Sequence, residues 1–294
     1  MIQVRAPAKL NLGLEVLRKR PDGYHEIETC FVPLRLFDRL TLERAPAGRG
    51  IRLEAPGSDL PLGRENLVVR AAERACAALG LAPDLAIRLE KEIPIAAGLG
   101  GGSSDAAATL LGLEALAGRE LARDERAKLA LELGADVPFF LDPKPALGRG
   151  VGEKLEPIPG VPEMHWVLVA FPFPVSTAWA YAEAARELTL PRDPSSIAAL
   201  LRPLGLLSPP RNDLETVSAK RHPEIPAARR ALESAGALAT GMSGSGPTVF
   251  GRFEDARAAQ RAAERVEVPA GARTIATSSP GSTEGGWGWG VAKW

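Results

Sequence analysis

The densest chemistry in this 294-residue chain lies in one run: Pro94, Ile95, Ala96, Ala97, Gly98, Leu99, Gly100, Gly101, Gly102, Ser103, Ser104 and Asp105. Gly98, Gly100, Gly101 and Gly102 leave their backbone N–H groups unobstructed and free to take φ > 0. Ser103, Ser104 and Asp105 offer N-cap oxygens to the helix that Ala106 to Ala117 predicts and Gly118 stops. A glycine loop entering a helix start presents free N–H groups and the positive dipole end, which together suit a phosphate. It is not a P-loop, because no lysine follows the glycines. A dinucleotide loop fails too, since the third glycine place falls on Ser103 and Asp124 follows no strand.

Other candidates are single side chains. Residues 20–26 read RPDGYHE. Proline fixes φ and glycine accepts φ > 0, so a turn sets Tyr24 and His25 side by side at its exit. Tyr24 can stack on a flat heterocycle, and His25 can hydrogen-bond through either ring nitrogen. By itself this would be a hairpin turn with a half-buried tyrosine. Asp136 falls in the turn after Gly134, before the apolar run 137–141, where most aspartates cap or form turns. Lys9 and Asn11 alternate with Leu10, Leu12 and Leu14, and a lysine so placed is usually a solvated charge. Lys91, just ahead of the glycine loop, suits a purine or phosphate contact.

The elements that must position these groups are legible from periodicity. Strands are expected over 2–17, interrupted by Pro7, then at Leu40–Leu42, Ile51–Leu53 and Leu85–Leu89. Asn66 caps a helix with an apolar stripe, closed by Gly80. Asp124 to Leu133 predicts a helix, and 137–141 an apolar strand. Beyond a proline-rich linker at 157–162 come a strand at 165–171 and a helix capped by Ser176 that carries Trp179 and Tyr181. A short helix is expected near 197–201 and another opening at 211–215. Helices at 226–235 and 256–265, with strands at 237–240, 247–253 and 273–276, complete an α+β layer. Residues 241–246 (GMSGSG) form a second tight glycine loop. The glycine- and tryptophan-rich tail, 281–294, is expected to dock on the body.

Composition narrows the classes. Lysine plus arginine, at 36, equal aspartate plus glutamate, at 36, so no global field draws nucleic acid or an anionic membrane. The start lacks a signal-like apolar region and the run 166–175 is too short and proline-broken to span a bilayer. A cytoplasmic protein is expected. Cys30 and Cys76, with three histidines, suggest no disulfide framework and no protein-held metal cluster.

Three segments, taken in order, resemble the motifs of the GHMP small-molecule kinases: PAKLNL at 7–12, the glycine loop at 94–104, and the loop at 241–246. RPDGYHE and the segment GADVPFF at 134–140 resemble signatures of members that act on a cytidine diphosphate-linked methylerythritol. The resemblance implies an α+β, two-domain fold, with a mixed-sheet N-terminal domain (1–155), a ferredoxin-like C-terminal domain (156–294), and an active site in the cleft between them. It implies ATP-dependent phosphorylation of that substrate's 2-hydroxyl in non-mevalonate isoprenoid synthesis, with ATP as co-substrate and Mg2+ accompanying it. Asp136 would be the general base, paired with Lys9. Residues 94–104, with Asn66 and Lys91, would hold the nucleotide, Ser104 being a magnesium or phosphate contact. Asn11, Tyr24, His25, Tyr181, Ser243 and Gly244 would hold the acceptor, with Tyr181 or Trp179 closing a base clamp. Alternatives are a mevalonate- or homoserine-type kinase, which needs no base clamp, and a passive nucleotide- or RNA-binding module. The charge balance disfavours RNA.

Overall fold

The computed structural model describes residues 1–188, 191, 211–282 and 290–293. The helix expected near 197–201 lies outside them. Two sheets organise the described residues. The first runs β11-β1-β2-β4-β3, with β5 branching from β2 and β6 pairing with β5. Its members are β1 (Ile2–Lys19), β2 (His25–Arg44), β3 (Ile51–Glu54), β4 (Leu85–Glu90), β5 (Ala146–Gly150), β6 (Lys154–Pro157) and β11 (Gly290–Lys293). The second, ordered β10-β7-β9-β8, is antiparallel and comprises β7 (Met164–Ala170), β8 (Ala239–Met242), β9 (Val249–Phe253) and β10 (Arg273–Ser279).

Helices α1 (Leu67–Leu79), α2 (Gly101–Ala117) and α3 (Arg123–Leu133) belong to the first half. Here α1 and α2 share a core with Ile2, Val4, Leu40, Leu42, Leu85 and Ile87 of the first sheet. Gly112 lets α2 settle closely, since a Cβ there would lie 2.8 Å from Leu42 Cδ1 and 3.0 Å from Val4 Cγ2. Helices α4 (Thr177–Glu187), α5 (Asp213–Arg221), α6 (Glu224–Ser234) and α7 (Ala256–Arg265) contribute to the core of the second sheet. A middle core joins Leu10, Leu12, Val32 and Leu99 to Trp166 and Phe250, so the two sheets meet through packed side chains.

The strand β1 is the common member. Ile2, Val4 and Ala6 enter the first core, Ala8, Leu10 and Leu12 the middle one, and Leu14 and Val16 the third. Pro7 does not break it, because the β1–β2 register shifts between Pro7 and Lys9 and a bulge accommodates the missing donor. Two expectations fail locally. Residues 137–141 form a 3-10 helix, Val137–Leu141, with Pro138 in its first turn. Proline there supplies a helical φ and needs no donor, which outweighs the apolar run. The second concerns β2, whose 20 residues far exceed the two-residue alternation legible at Leu40–Leu42. Of the tail, residues 290–293 pair with β1, where Val291 opposes Val4, and its three tryptophans lie outside the described residues.

Candidate active site

Three segments far apart in sequence converge around the Lys9 ammonium. Alternation on β1 sends the leucines to the core and Lys9 and Asn11 to the opposite face. That face is covered, not solvated as a lone strand would suggest: Lys9 is 4% and Asn11 3% exposed. Lys9 Nζ donates to Asn11 Oδ1 at 2.5 Å and to the Gly98 carbonyl at 3.1 Å, and lies 3.5 Å from Asp136 Oδ2. The Lys9 backbone N–H donates to Leu99 O at 3.0 Å, so the strand itself is tied to the glycine loop. Asn11 Nδ2 donates to Thr29 Oγ1 at 2.8 Å, and Thr29 in turn donates to Gly13 O at 2.6 Å, which fixes the amide so that its oxygen faces the lysine.

Asp136 stands before the first residue of the 3-10 helix, yet its side chain makes no capping hydrogen bond. It is 35% exposed at the cavity wall and faces Lys9. Its carboxylate is thus unused by its own turn and aimed at a buried ammonium. The cavity, about 1010 Å³, is lined by Lys9, Asn11, Asp136, Gly98, Gly100 and Ser103 together with Tyr24, His25, Tyr181 and Gly244.

The glycine loop differs in detail from its expected form. Gly100 caps α2 in the left-handed region (φ 73°), so Gly101 to Asp105 are already helical and their side chains cap nothing. The need for glycine is therefore uneven. A Cβ on Gly98 would come within 2.4 Å of Ser243 O, and one on Gly100 within 2.7 Å of Phe140 Cζ. Gly102 would meet only Leu67 Cδ1, at 3.8 Å. Ala96 holds a positive φ of 54° without being glycine, a strained conformation within the loop. Ser104 Oγ is buried without a hydrogen-bond partner.

Three expected contacts have other duties. Asn66 accepts from Val68 N at 2.9 Å and donates to Pro61 O at 2.9 Å, so both ends of its amide are occupied in capping α1. Lys91 is not free to meet a phosphate: its Nζ is bonded to Asp38 and to Asp105 Oδ2. Ser243 Oγ donates to Gly98 O at 3.0 Å and accepts from Asn11 N at 3.1 Å. It stitches three segments together and does not face a ligand.

At the other end of the cavity His25 stacks on Tyr181, with ring centroids 5.5 Å apart and planes 13° from parallel. Its Nε2 is buried without a partner. Burial, and secondarily the Lys19 charge, lower its pKa, which favours the neutral imidazole. Burial, and then the Asp136 charge, push the Tyr181 phenol up. Tyr24, 63% exposed, stands at the mouth. Trp179 is instead stacked beneath Arg221, 5.1 Å from its guanidinium carbon, and does not line the cavity.

Sequence reasoning missed the residues behind these. Asn212 caps α5 through its oxygen, accepting from Leu214 N at 2.9 Å, while Nδ2 donates to Met242 O at 2.7 Å and Gly244 O at 2.8 Å. Asp213 accepts from Val16 N at 2.8 Å, and Glu215 from Met242 N at 3.0 Å. The polar cluster opening the helix at 211–215 was the visible signal, but its partners lie too far away in sequence to be read.

Residues 66–142 match the GHMP kinases N terminal domain and residues 182–269 the GHMP kinases C terminal domain. The chain is a GHMP kinase. Within these kinases it is 41% identical over 276 residues to the 4-diphosphocytidyl-2-C-methyl-D-erythritol kinase of Syntrophotalea carbinolica, covering 92% of this chain and 96% of that one. A Geobacter sulfurreducens protein of the same name is 44% identical, covering 90% and 94%. A crystal structure of 4-(cytidine 5'-diphospho)-2C-methyl-D-erythritol kinase superposes with TM-score 0.81 at 40% identity, covering 95% of this GHMP kinase and 99% of that chain. Homoserine kinase from Cytophaga hutchinsonii shares the fold at TM-score 0.71 with 19% identity, covering 96% of each chain. Among the described residues no helix is long and apolar enough to cross a membrane.

Proposed function

We propose that this kinase transfers the γ-phosphoryl group of ATP to the 2-hydroxyl of 4-diphosphocytidyl-2-C-methyl-D-erythritol, a step of non-mevalonate isoprenoid synthesis, with 1–155 and 156–294 as its functional halves. The observation that carries the choice of substrate is the orphaned His25 Nε2, stacked on Tyr181 in the same cavity as Lys9 and Asp136. A buried imidazole nitrogen without a partner costs free energy unless a ligand satisfies it. The edge of a cytosine does so while its faces lie against aromatic rings. The relatives named above act, by their names, on such a compound.

The chemistry follows from the two ends. The nucleotide phosphates lie against the Gly98 to Ser104 backbone and the start of α2. The acceptor hydroxyl sits between Asp136 and Lys9. Its oxygen forms the new bond to the γ-phosphorus, the bond to the β,γ-bridging oxygen breaks, and ADP leaves. Asp136 receives the hydroxyl proton. The Lys9 ammonium orients that hydroxyl and offsets charge on the transferring group. Magnesium would supply charge neutralisation on the nucleotide phosphates, and the orphaned Ser104 hydroxyl in the first turn of α2 is the group that would contact the ion or a phosphate.

A coupled ADP-release assay on a panel of cytidyl and non-cytidyl alcohols tests the reading. Turnover should require the cytidine diphosphate moiety. Equal turnover of mevalonate or homoserine would overturn it.

A further inference from the structure

Behind the reacting pair stands a hydroxyl to which the chemistry above gives no part. Thr29, on β2, is fully buried and does not line the cavity. It lies where the β1–β2 register slips: Asn11 pairs with Phe31 but Gly13 already pairs with Cys30, so Leu12 is the extra residue of a bulge. A bulge re-aims the side chains beside it. The slip sets Thr29 opposite Leu14, where its hydroxyl meets two groups of β1 at once. It donates to the Gly13 carbonyl at 2.6 Å and accepts from Asn11 Nδ2 at 2.8 Å.

The direction of these bonds is forced. A carbonyl oxygen only accepts, so the single Thr29 hydrogen is spent on Gly13 and the Thr29 oxygen is left to accept from Asn11. Asn11 therefore turns Nδ2 to Thr29 and Oδ1 to Lys9, whose ammonium only donates. Polarity thus runs from a backbone carbonyl, which does not titrate, through hydroxyl and amide to the ammonium. Three oxygens lie near Lys9 Nζ: Asn11 Oδ1 at 2.5 Å, Gly98 O at 3.1 Å and Asp136 Oδ2 at 3.5 Å. The Asn11 oxygen is the nearest, so where that amide stands decides where the ammonium stands. Without the Thr29 hydroxyl, Nδ2 becomes a buried donor with no acceptor, and such a donor carries its full desolvation cost. Asn11 borders the cavity, so the amide would swing toward it and take its oxygen off Lys9.

We propose that Thr29 is a positioning residue for phosphoryl transfer, anchoring the Asn11 amide and through it the Lys9 ammonium without touching either substrate. This rests on the reading of Lys9 and Asp136 as the reacting pair, and its test separates the two.

Thr29→Val keeps the outline of the side chain and removes the hydroxyl. Its kcat should fall about 10–100-fold, the scale of a small misplacement at a reacting centre, with KM for ATP within about twofold. Thr29→Ser restores the hydroxyl and should hold kcat within about threefold of the natural chain. In an Asn11→Ala chain, which has no amide to hold, Thr29→Val should change kcat by less than about twofold. Equal losses with and without the Asn11 amide overturn the proposal. So does a lower melting temperature with turnover per folded molecule intact. Neutron diffraction from deuterated crystals reads the relay with no substrate present. Deuterons should lie on the Asn11 nitrogen facing Thr29 and on the Thr29 oxygen facing Gly13. A Thr29 deuteron aimed at Asn11 refutes the relay, and the natural chain alone decides this should Thr29→Val not fold. If the deuterons lie as expected but neither Asp136→Asn nor Thr29→Val alters turnover, the reading of the reacting pair falls and the proposal falls with it.

Discussion

Asp136 and Lys9 differ in the way that matters for a test: one is at the cavity wall and makes no capping bond, the other is buried among three partners. Asp136→Asn removes the proton acceptor but leaves the 3-10 turn its shape. We expect kcat to fall about 10²–10⁴-fold with little change in either KM or in melting temperature. A drop in melting temperature with turnover per folded molecule intact would make Asp136 a turn residue only. At the far end, His25→Gln should raise KM for the cytidyl substrate and leave KM for ATP alone. The pH response has a definite sign. Burial holds the folded-state pKa of His25 below 6.5, so its contribution is present above that value and lost as pH falls through the lowered one. The substrate KM should accordingly rise on the acid side in the natural chain and not in His25→Gln. A matching rise in the variant would assign the effect to another group.

Elements were legible where their signals are local. The cap at Asn66, the left-handed stop at Gly80, and the glycine loop feeding α2 all depend on neighbours within a few residues. The long β2 was not legible, because Pro33, Arg35, Asp38 and Arg39 disrupt its alternation and its pairing to β1, β4 and β5 supplies what the pattern lacks. The buried faces of Lys9 and Asn11 were hidden for the same reason: only the distant glycine loops cover them. Asn212 shows the element scale at its clearest, since one amide both starts α5 and holds the second glycine loop. Asn212→Asp keeps the capping oxygen and replaces the donor to Met242 O and Gly244 O with a charge that repels them. We expect kcat/KM for the cytidyl substrate to drop at least about tenfold, corresponding to about 1.4 kcal/mol, while α5 remains capped. Asn212→Ala should lose the cap as well and melt lower than Asn212→Asp. If the two variants are equally active and equally stable, the tie is idle. Gly100→Ala offers a parallel contrast with Gly102→Ala: the first meets Phe140 and a positive φ, the second only an ordinary contact with Leu67 and a helical backbone. Only the first should abolish ATP binding by calorimetry.

Across the whole molecule β1 is the part that neither half can lose. It supplies side chains to three cores, carries Lys9 and Asn11, and is tied to the glycine loop through Leu99 O and to the second half through Arg211 O and Asp213. Its outer edge is closed by β11, where Ile2 to Arg5 pair with Lys293 to Gly290. An uncovered edge offers a row of free N–H and C=O groups to any passing strand. Truncating the chain after Ser282 removes that cover but leaves Lys9, which lies beyond the β11 pairing, with all its partners. The truncated protein should therefore keep kcat within about twofold while losing about 1–3 kcal/mol of stability, or several degrees of melting temperature. It should also self-associate with rising concentration, and light scattering would show this. Placing a lysine at Val4 is no remedy, since that side chain is buried in the core. Arg5→Pro is a better one, because proline blunts an edge strand by removing a donor, and in the truncated chain it should reduce association. Unchanged melting and scattering would show that β11 is dispensable to the edge. A large fall in kcat with melting unchanged would assign the tail to catalysis instead.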